Sequence, residues 1–314
     1  MSLRPLRLFA TIACLFAALA VSPAHAQPPL PTPSAGRLER IALPSRHVEE
    51  RPVDVWLPSD YAERVGKGQR FQVLYMHDGQ MLFDPTITMN RQAWHVDATL
   101  DRLVRSGRVP PTIVVAIWNR EQFRDSEYFP RKVLERLAPA QRTFLLETYL
   151  QHRARSDDYL RYLVEELKPA IDSRYATLRG QESTFIMGSS RGAVLSVYAM
   201  SEYPHVFGGA AGLSVHWIGT FERNAAIPMA TFAYLSEKLP GPAGHRLYLD
   251  RGTDTLDALY GPSFEFGGDV IRERGYTDAN YLHRVFPGTG HSEKAWSARL
   301  EIPLLFLLAG KRSD

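Results

Sequence analysis

Residues 183–200 read Ser-Thr-Phe-Ile-Met-Gly-Ser-Ser-Arg-Gly-Ala-Val-Leu-Ser-Val-Tyr-Ala-Met. Ser183–Met187 has the apolar, β-branched and aromatic content of a short strand, and Ala193–Met200 reads as a helix. Between them, Gly188-Ser189-Ser190-Arg191-Gly192 matches G-x-S-x-G. That spacing suits a very tight strand-to-helix turn. A serine there is held in strained backbone angles, and small residues two before and two after let strand and helix approach without collision. The hydroxyl then stands clear of the sheet, and the next backbone N–H, that of Arg191, points at the place where an oxyanion would develop.

The rest of the chain supplies the sheet such a turn needs. Val53–Leu57 alternates in strand fashion. Phe71–Met76, Thr112–Ile117, Arg246–Leu249 and Tyr281–Phe286 read as further strands, Thr112–Ile117 being a β-branched run of the kind buried on both faces. Helical spacing runs over 94–105, 157–171, 264–274 and 293–308. Strands separated by helices predict an α/β fold with a mostly parallel central sheet and helices on both faces. Ligand sites in such sheets lie outside the carboxyl ends of the strands. Three polar clusters, 77–81, 188–192 and 250–257, each follow an apolar strand, and His291 follows a fourth. The polar, aromatic stretch 119–156 fits no strand–helix unit. It reads as an excursion over the active-site end, with one helix near 140–151.

A serine hydroxyl needs a base to act as a nucleophile, and histidine is the side chain suited to it near neutral pH. In a strand–elbow–helix fold the order along the chain is serine, acid, histidine. His205 and His216 precede any acid-bearing strand, His245 precedes the strand 246–249, and His283 lies inside a strand pattern. His291 follows a strand and the loop Pro287-Gly288-Thr289-Gly290, and it precedes a helix. The acid falls near the strand 246–249. Asp250 ends that strand and reads as a turn-fixing residue. Asp254 and Asp257 lie in the loop beyond, where either could orient the imidazole; Asp257 is preferred and Asp254 stays open as the alternative acid. The loop His77-Asp78-Gly79-Gln80-Met81 is placed to give a second oxyanion donor from the backbone of Gln80 or Met81. His77 and Asp78 could also be read as metal ligands, but no further ligand spacing accompanies them and no metal is expected. Trp118, Phe123, Tyr128, Trp217 and Tyr260 are equally readable as pocket wall or as core.

Together, Tyr75-Met76-His77-Asp78-Gly79-Gln80, Gly188-Ser189-Ser190, Asp250-Arg251-Gly252-Thr253 and His291-Ser292-Glu293-Lys294-Ala295-Trp296 resemble the putative esterase family, which holds enterochelin-type esterases, S-formylglutathione hydrolase, feruloyl esterases and mycolyltransferase antigens. Trp94-His95-Val96-Asp97, Glu127-Tyr128-Phe129-Pro130 and Glu166-Leu167-Lys168-Pro169-Ala170-Ile171-Asp172 extend the resemblance over about residues 38–309. It implies an α/β-hydrolase fold and ester cleavage through an acyl-enzyme, with Ser190 as nucleophile and His291 as base. It favours Asp257 as the acid, because Gly252–Asp257 matches a G-T-x-T-L-D-type segment of relatives. Two departures stand out: Arg191-Gly192-Ala193 replaces the usual Met-Gly-Gly, and the excursion at 119–156 has no counterpart.

The resemblance also admits an acyltransferase on the same triad, or a non-catalytic binding protein on this fold. The second would carry a broken triad, whereas every position here can be filled. No cofactor is expected. The substrate class is a small-molecule ester, a carbohydrate or siderophore ester among them, and the oligomeric state is left open.

At the N-terminus, Arg4 and Arg7 precede the apolar run Leu8–Val21, and Ala24-His25-Ala26 supplies an A-x-A site. This is the layout of a cleaved secretory signal peptide over 1–26, followed by a flexible or extended Pro-rich leader at 27–37 and an esterase domain at 38–314. The expected location is the periplasm or the exterior. The run is short for a bilayer span, and no other segment is long enough. Cys14 is the single cysteine and lies inside the expected signal peptide, so the mature chain is expected to have neither a disulfide nor a thiol nucleophile. The formal net charge of +3 includes Arg4 and Arg7, and no basic tract remains to suggest a nucleic-acid partner.

Overall fold

The computed structural model describes residues 28–309, so the expected signal peptide lies outside the described residues. Eight strands form one sheet: β1 Arg37–Ile41, β2 Val53–Leu57, β3 Gln72–Met76, β4 Thr112–Ile117, β5 Thr184–Ser189, β6 Gly209–Leu213, β7 Arg246–Gly252 and β8 Tyr281–Phe286. Their spatial order is β1-β2-β4-β3-β5-β6-β7-β8. β1 and β2 pair antiparallel at one edge, β2 also runs antiparallel to β4, and every pairing from β4 to β8 is parallel. This is the α/β-hydrolase fold. Its parallel part brings the carboxyl ends of β3, β5, β6, β7 and β8 to a single edge, and all the polar clusters noted above leave from that edge.

The core lies in two layers, one on each face. Val73, Tyr75, Ile113, Val115 and Ile186 point to one side, while Leu74, Met76, Val114, Ala116 and Met187 point to the other. Such strands are buried throughout, which is why their sequences are apolar runs and do not alternate. β6 was not legible in advance because it reads Gly-Ala-Ala-Gly-Leu. Its small residues have a packing reason. A Cβ on Gly212 would come within 2.8 Å of the Ala193 Cβ on the helix Arg191–Glu202.

The helical stretch expected at 157–171 runs from Ser156 to Arg174 in three joined pieces, with a π-helical segment at Tyr162–Leu167 ahead of Pro169. Pro169 has no N–H for the preceding turn, and a π segment absorbs that loss without ending the helix. The last helix, expected at 293–308, is instead two: Glu293–Arg299 and Glu301–Leu308. Pro303 cannot donate to the carbonyl four residues back, at Arg299, and the break falls at Leu300. The helix Ala226–Lys238 was not read from the sequence. The Pro-rich leader is held in place from Thr32 onward: the Thr32 N–H donates to Asp84 at 3.0 Å and the Ser34 hydroxyl to Asp97 at 2.7 Å. Among the described residues no helix is long and apolar enough to cross a membrane.

Candidate active site

Ser190 stands between β5 and the helix Arg191–Glu202 with φ 55° and ψ −124°, a region that a non-glycine residue occupies only when its surroundings impose it. Its N–H donates to the Leu213 carbonyl at 2.9 Å, and its carbonyl accepts from Ala193 at 3.1 Å. Of the flanking glycines, Gly188 is required by contact, whereas Gly192 leaves just enough room for a Cβ. A Cβ on Gly188 would lie 2.8 Å from the Gly192 carbonyl and 3.0 Å from the His77 ring, and one on Gly192 would lie 3.4 Å from the His77 Cβ.

His291 and Asp257 meet from different loops. His291 Nδ1 lies 2.6 Å from Asp257 Oδ1. An ionised carboxylate can only accept, so Nδ1 carries the ring proton and Nε2 presents its lone pair. Asp257 is fully buried. Its other oxygen accepts from Ser214 Oγ at 2.6 Å and from the Gly252 N–H at 2.6 Å. Burial pushes this carboxyl up, but the contacts with His291, Ser214 and Gly252 outweigh it and hold the group below the usual carboxylate range. Asp254 is exposed, and among the described residues its side chain bonds only its neighbour Thr253, while His291 pairs with Asp257. Asp250 is buried and takes both Nε and Nη2 of Arg299, at 2.9 and 2.8 Å, with the Tyr248 hydroxyl at 2.8 Å. It fixes the loops around the site from behind.

The loop after β3 is clamped from the excursion. Asp78 has left-handed φ of 56°, and its carboxylate receives Nε and Nη2 of Arg124, both at 2.8 Å, and Nδ2 of Asn119 at 2.7 Å. His77 is buried with Nδ1 3.0 Å from the Tyr159 hydroxyl. Burial pushes it down to about 4 against an opposing pull from Asp78, so it is neutral at ordinary pH. The Met81 N–H is engaged by the Asp78 carbonyl at 2.9 Å. Among the described residues the N–H groups of Gln80 and Arg191 have no backbone acceptor. Of the two donors expected in this loop, Gln80 is therefore the one left free.

A cleft of about 780 Å³ has Ser190 and His291 in its walls, along with Gln80, Trp94, Trp118 and Trp296. Of the five aromatics in doubt, Trp118 faces this cleft, whereas Tyr128, Trp217 and Tyr260 are buried. The Tyr260 hydroxyl is nonetheless part of the site: it lies beside the Ser190 side chain and 2.6 Å from His216 Nδ1. Sequence reasoning missed this Tyr260–His216 pair, as well as Ser214, Arg299 and the Arg124–Asn119 clamp. Asn119 and Arg124 lie in the excursion read as covering the active-site end, and Trp296 lies in the His291–Trp296 segment, but no role for them was legible there. Trp296 Nε1 donates to Ser214 Oγ at 2.8 Å.

Comparison with known proteins agrees with this architecture. The chain is 20% identical over 279 residues to the uncharacterized protein YbbA of Bacillus subtilis strain 168, covering 87% of this chain and 98% of that one. A CE1 ferulic acid esterase from Anaeromyces mucronatus, solved with ferulic acid, superposes with a TM-score of 0.60 at 18% identity, covering 88% of this chain and 92% of that one. The enterobactin esterase of Shigella flexneri, solved with enterobactin, superposes with a TM-score of 0.62 at 16% identity, covering 88% of this chain and 60% of that one. The family described as "Putative esterase" matches residues 45–307; the chain belongs to that family and is a carboxylic-ester hydrolase.

Proposed function

We propose that the chain hydrolyses a small-molecule carboxylic ester through an acyl-enzyme on Ser190, with His291 as general base and acid and Asp257 as the group that orients it. The observation that carries this reading is the 2.6 Å contact between His291 Nδ1 and Asp257 Oδ1 at the edge of a cleft that also contains the strained Ser190.

In this reading the Nε2 lone pair of His291 takes the Ser190 proton as Oγ attacks the ester carbonyl. The imidazolium that forms is stabilised by Asp257, which stays ionised. The negative charge on the carbonyl oxygen is met by the N–H groups of Arg191 and Gln80, and one such donor is worth about 2.7–4 kcal/mol of barrier. His291 then gives its proton to the leaving alcohol. Water enters through the open cleft, is deprotonated by His291, and releases the acid. The ferulate and enterobactin esterases of the same fold support a small ester as substrate. The expected signal peptide at 1–26 supports action outside the cytoplasm, and a mature N-terminus at Gln27 would be its signature.

The reading is tested with 4-nitrophenyl acetate. The wild-type protein is expected to turn it over with a burst of about one nitrophenolate per chain when deacylation is the slower step. Ser190→Ala and His291→Ala should each lose at least about 10³-fold in kcat. Full turnover by Ser190→Ala would overturn the proposal.

A further inference from the structure

Arg191, the residue after the proposed nucleophile, differs from the other buried arginines in how its charge is met. Arg51 gives both terminal nitrogens to Glu127, at 2.7 and 2.6 Å, and Arg299 is forked onto Asp250. Arg191 is only 5% exposed. Its Nε lies 3.2 Å from Asp125, whose side chain is 37% exposed, while Nη1 and Nη2 are buried with no partner among the described residues. The Tyr149 and Phe221 rings lie 5.7 and 5.9 Å from its guanidinium carbon. Burial pulls this group down from its usual value and Asp125 only partly offsets that, which is the mark of an under-compensated cation. The neighbouring Arg124 adds positive charge but is taken up by Asp78.

His216 shares the small cavity that Arg191 borders. It is 2% exposed, its Nδ1 lies 2.6 Å from the Tyr260 hydroxyl, and its Nε2 is buried without a partner among the described residues. Burial, and next the charge of Arg191, hold it well below the usual histidine range, so the ring is neutral. When Tyr260 donates to Nδ1, the ring proton sits on Nε2 and that atom becomes a donor. The cavity therefore presents unused N–H groups and a net positive charge, and a buried donor left unpaired costs about 1–3 kcal/mol. Its volume of about 10 Å³ leaves room for roughly one water as it stands. It shares Ile227 as a wall with a neighbouring cavity of about 260 Å³ that Tyr149 also lines.

We propose that Arg191 and His216 form an anion subsite beside Ser190, and that the ester this chain prefers carries a carboxylate on its acyl part, a few bonds from the scissile carbonyl. The proposal rests on the Ser190–His291 reading, which also fixes the side. His291 protonates the leaving alcohol and lines the large open cleft, so the alcohol departs there. Arg191 and His216 line a different cavity, and the Tyr260 hydroxyl, in contact with both the His216 ring and the Ser190 side chain, sets it beside the nucleophile. A carboxylate is the fitting class, because a guanidinium receives its two oxygens side by side and the imidazole N–H adds a third donor. It would also select the His216 tautomer with the proton on Nε2.

The test compares monoethyl and diethyl esters of succinate and of glutarate, which differ only in whether the distal group is charged, with hydrolysis followed by proton NMR. The wild-type protein is expected to favour the monoethyl ester of at least one diacid in kcat/KM by about 10- to 100-fold. Arg191→Met should bring that ratio close to one, and Arg191→Lys should retain part of it. Free succinate or glutarate should compete with substrate in the wild type and not in Arg191→Met. A wild-type ratio of one or less for both diacids overturns the subsite without any variant having to fold. If Ser190→Ala abolishes hydrolysis while that ratio is one, the anion subsite alone is wrong. If Ser190→Ala hydrolyses these esters at the wild-type rate, the underlying reading fails and the subsite goes with it.

Discussion

Ser214 Oγ lies 2.6 Å from Asp257 Oδ2 and 2.8 Å from Trp296 Nε1, so the hydroxyl that donates to the acid is itself held by an indole from the helix that follows His291. Arg299 Nη2 reaches the same hydroxyl at 3.1 Å. The proposed acid and base, Asp257 and His291, are thus tied together twice, once directly and once through Ser214. Ser214→Ala removes a donor from the buried carboxylate and orphans the indole N–H. The expected result is a fall in kcat of about tenfold, equal to about 1.4 kcal/mol, and a loss of unfolding free energy of about 1–3 kcal/mol. Steady-state kinetics and urea titration measure the two effects separately.

Asp257 and Asp254 are three residues apart, yet only the first is buried against the imidazole. Asp257→Ala should reduce kcat by about 10³- to 10⁴-fold, since the histidine loses both its orientation and the stabilisation of its charged form. Asp254→Ala should stay within about twofold, as expected of a surface substitution. The reverse pattern would reassign the acid to Asp254.

The clamp on the loop after β3 predicts an effect from the excursion. Arg124→Met leaves the Asp78 carboxylate with Asn119 as its remaining side-chain donor. The loop carrying Gln80 then relaxes, and kcat is expected to fall by about 10- to 100-fold, up to the scale of one lost oxyanion donor. KM for a small ester should change much less if the clamp acts, as proposed, by holding the Gln80 N–H for the transition state. A change confined to KM would place Arg124 in substrate binding.

His77 makes stability fall toward acid. It is buried neutral, with burial pushing its pKa down to about 4 from the ordinary histidine value of about 6.5. The unfolded chain therefore binds a proton at higher pH than the folded one does. Stability is full above the unfolded value, declines as pH falls from about 6.5 to about 4, and levels below that. His77's share of the loss is about 2 kcal/mol by pH 5. Urea unfolding at pH 7 and pH 5 should show that His77→Gln, which has no such proton to take up, loses less than the wild type by roughly that amount. Equal losses in the two proteins would assign the acid sensitivity to other groups.

The elbow and the strands buried on both faces were legible because they are extreme local patterns: Gly188 to Gly192 for the turn, Thr112–Ile117 for the β-branched run. His291, the proposed base, was singled out by elimination along the chain. What escaped was set by packing at a distance. β6 needs small residues because the helix carrying Ala193 presses on it, and Gly-Ala-Ala-Gly-Leu resembles no strand on its own. Ser214, Tyr260, His216 and Arg299 act on the site through neighbours 43 to 85 residues away in the chain, and no spacing rule announces a contact of that kind. The excursion at 119–156 was recognised as anomalous, but its function as a brace for Asp78 depends on Arg124 and Asn119 folding back over β3.

The central claim is that Ser190 is the atom-bearing nucleophile activated by His291. Incubation with a fluorophosphonate followed by peptide mass spectrometry addresses it directly. The account predicts one phosphonyl group per chain, located on Ser190, and labelling slowed by orders of magnitude in His291→Ala. A stoichiometric adduct on a different residue, or unlabelled protein that still hydrolyses esters at full rate, would contradict it.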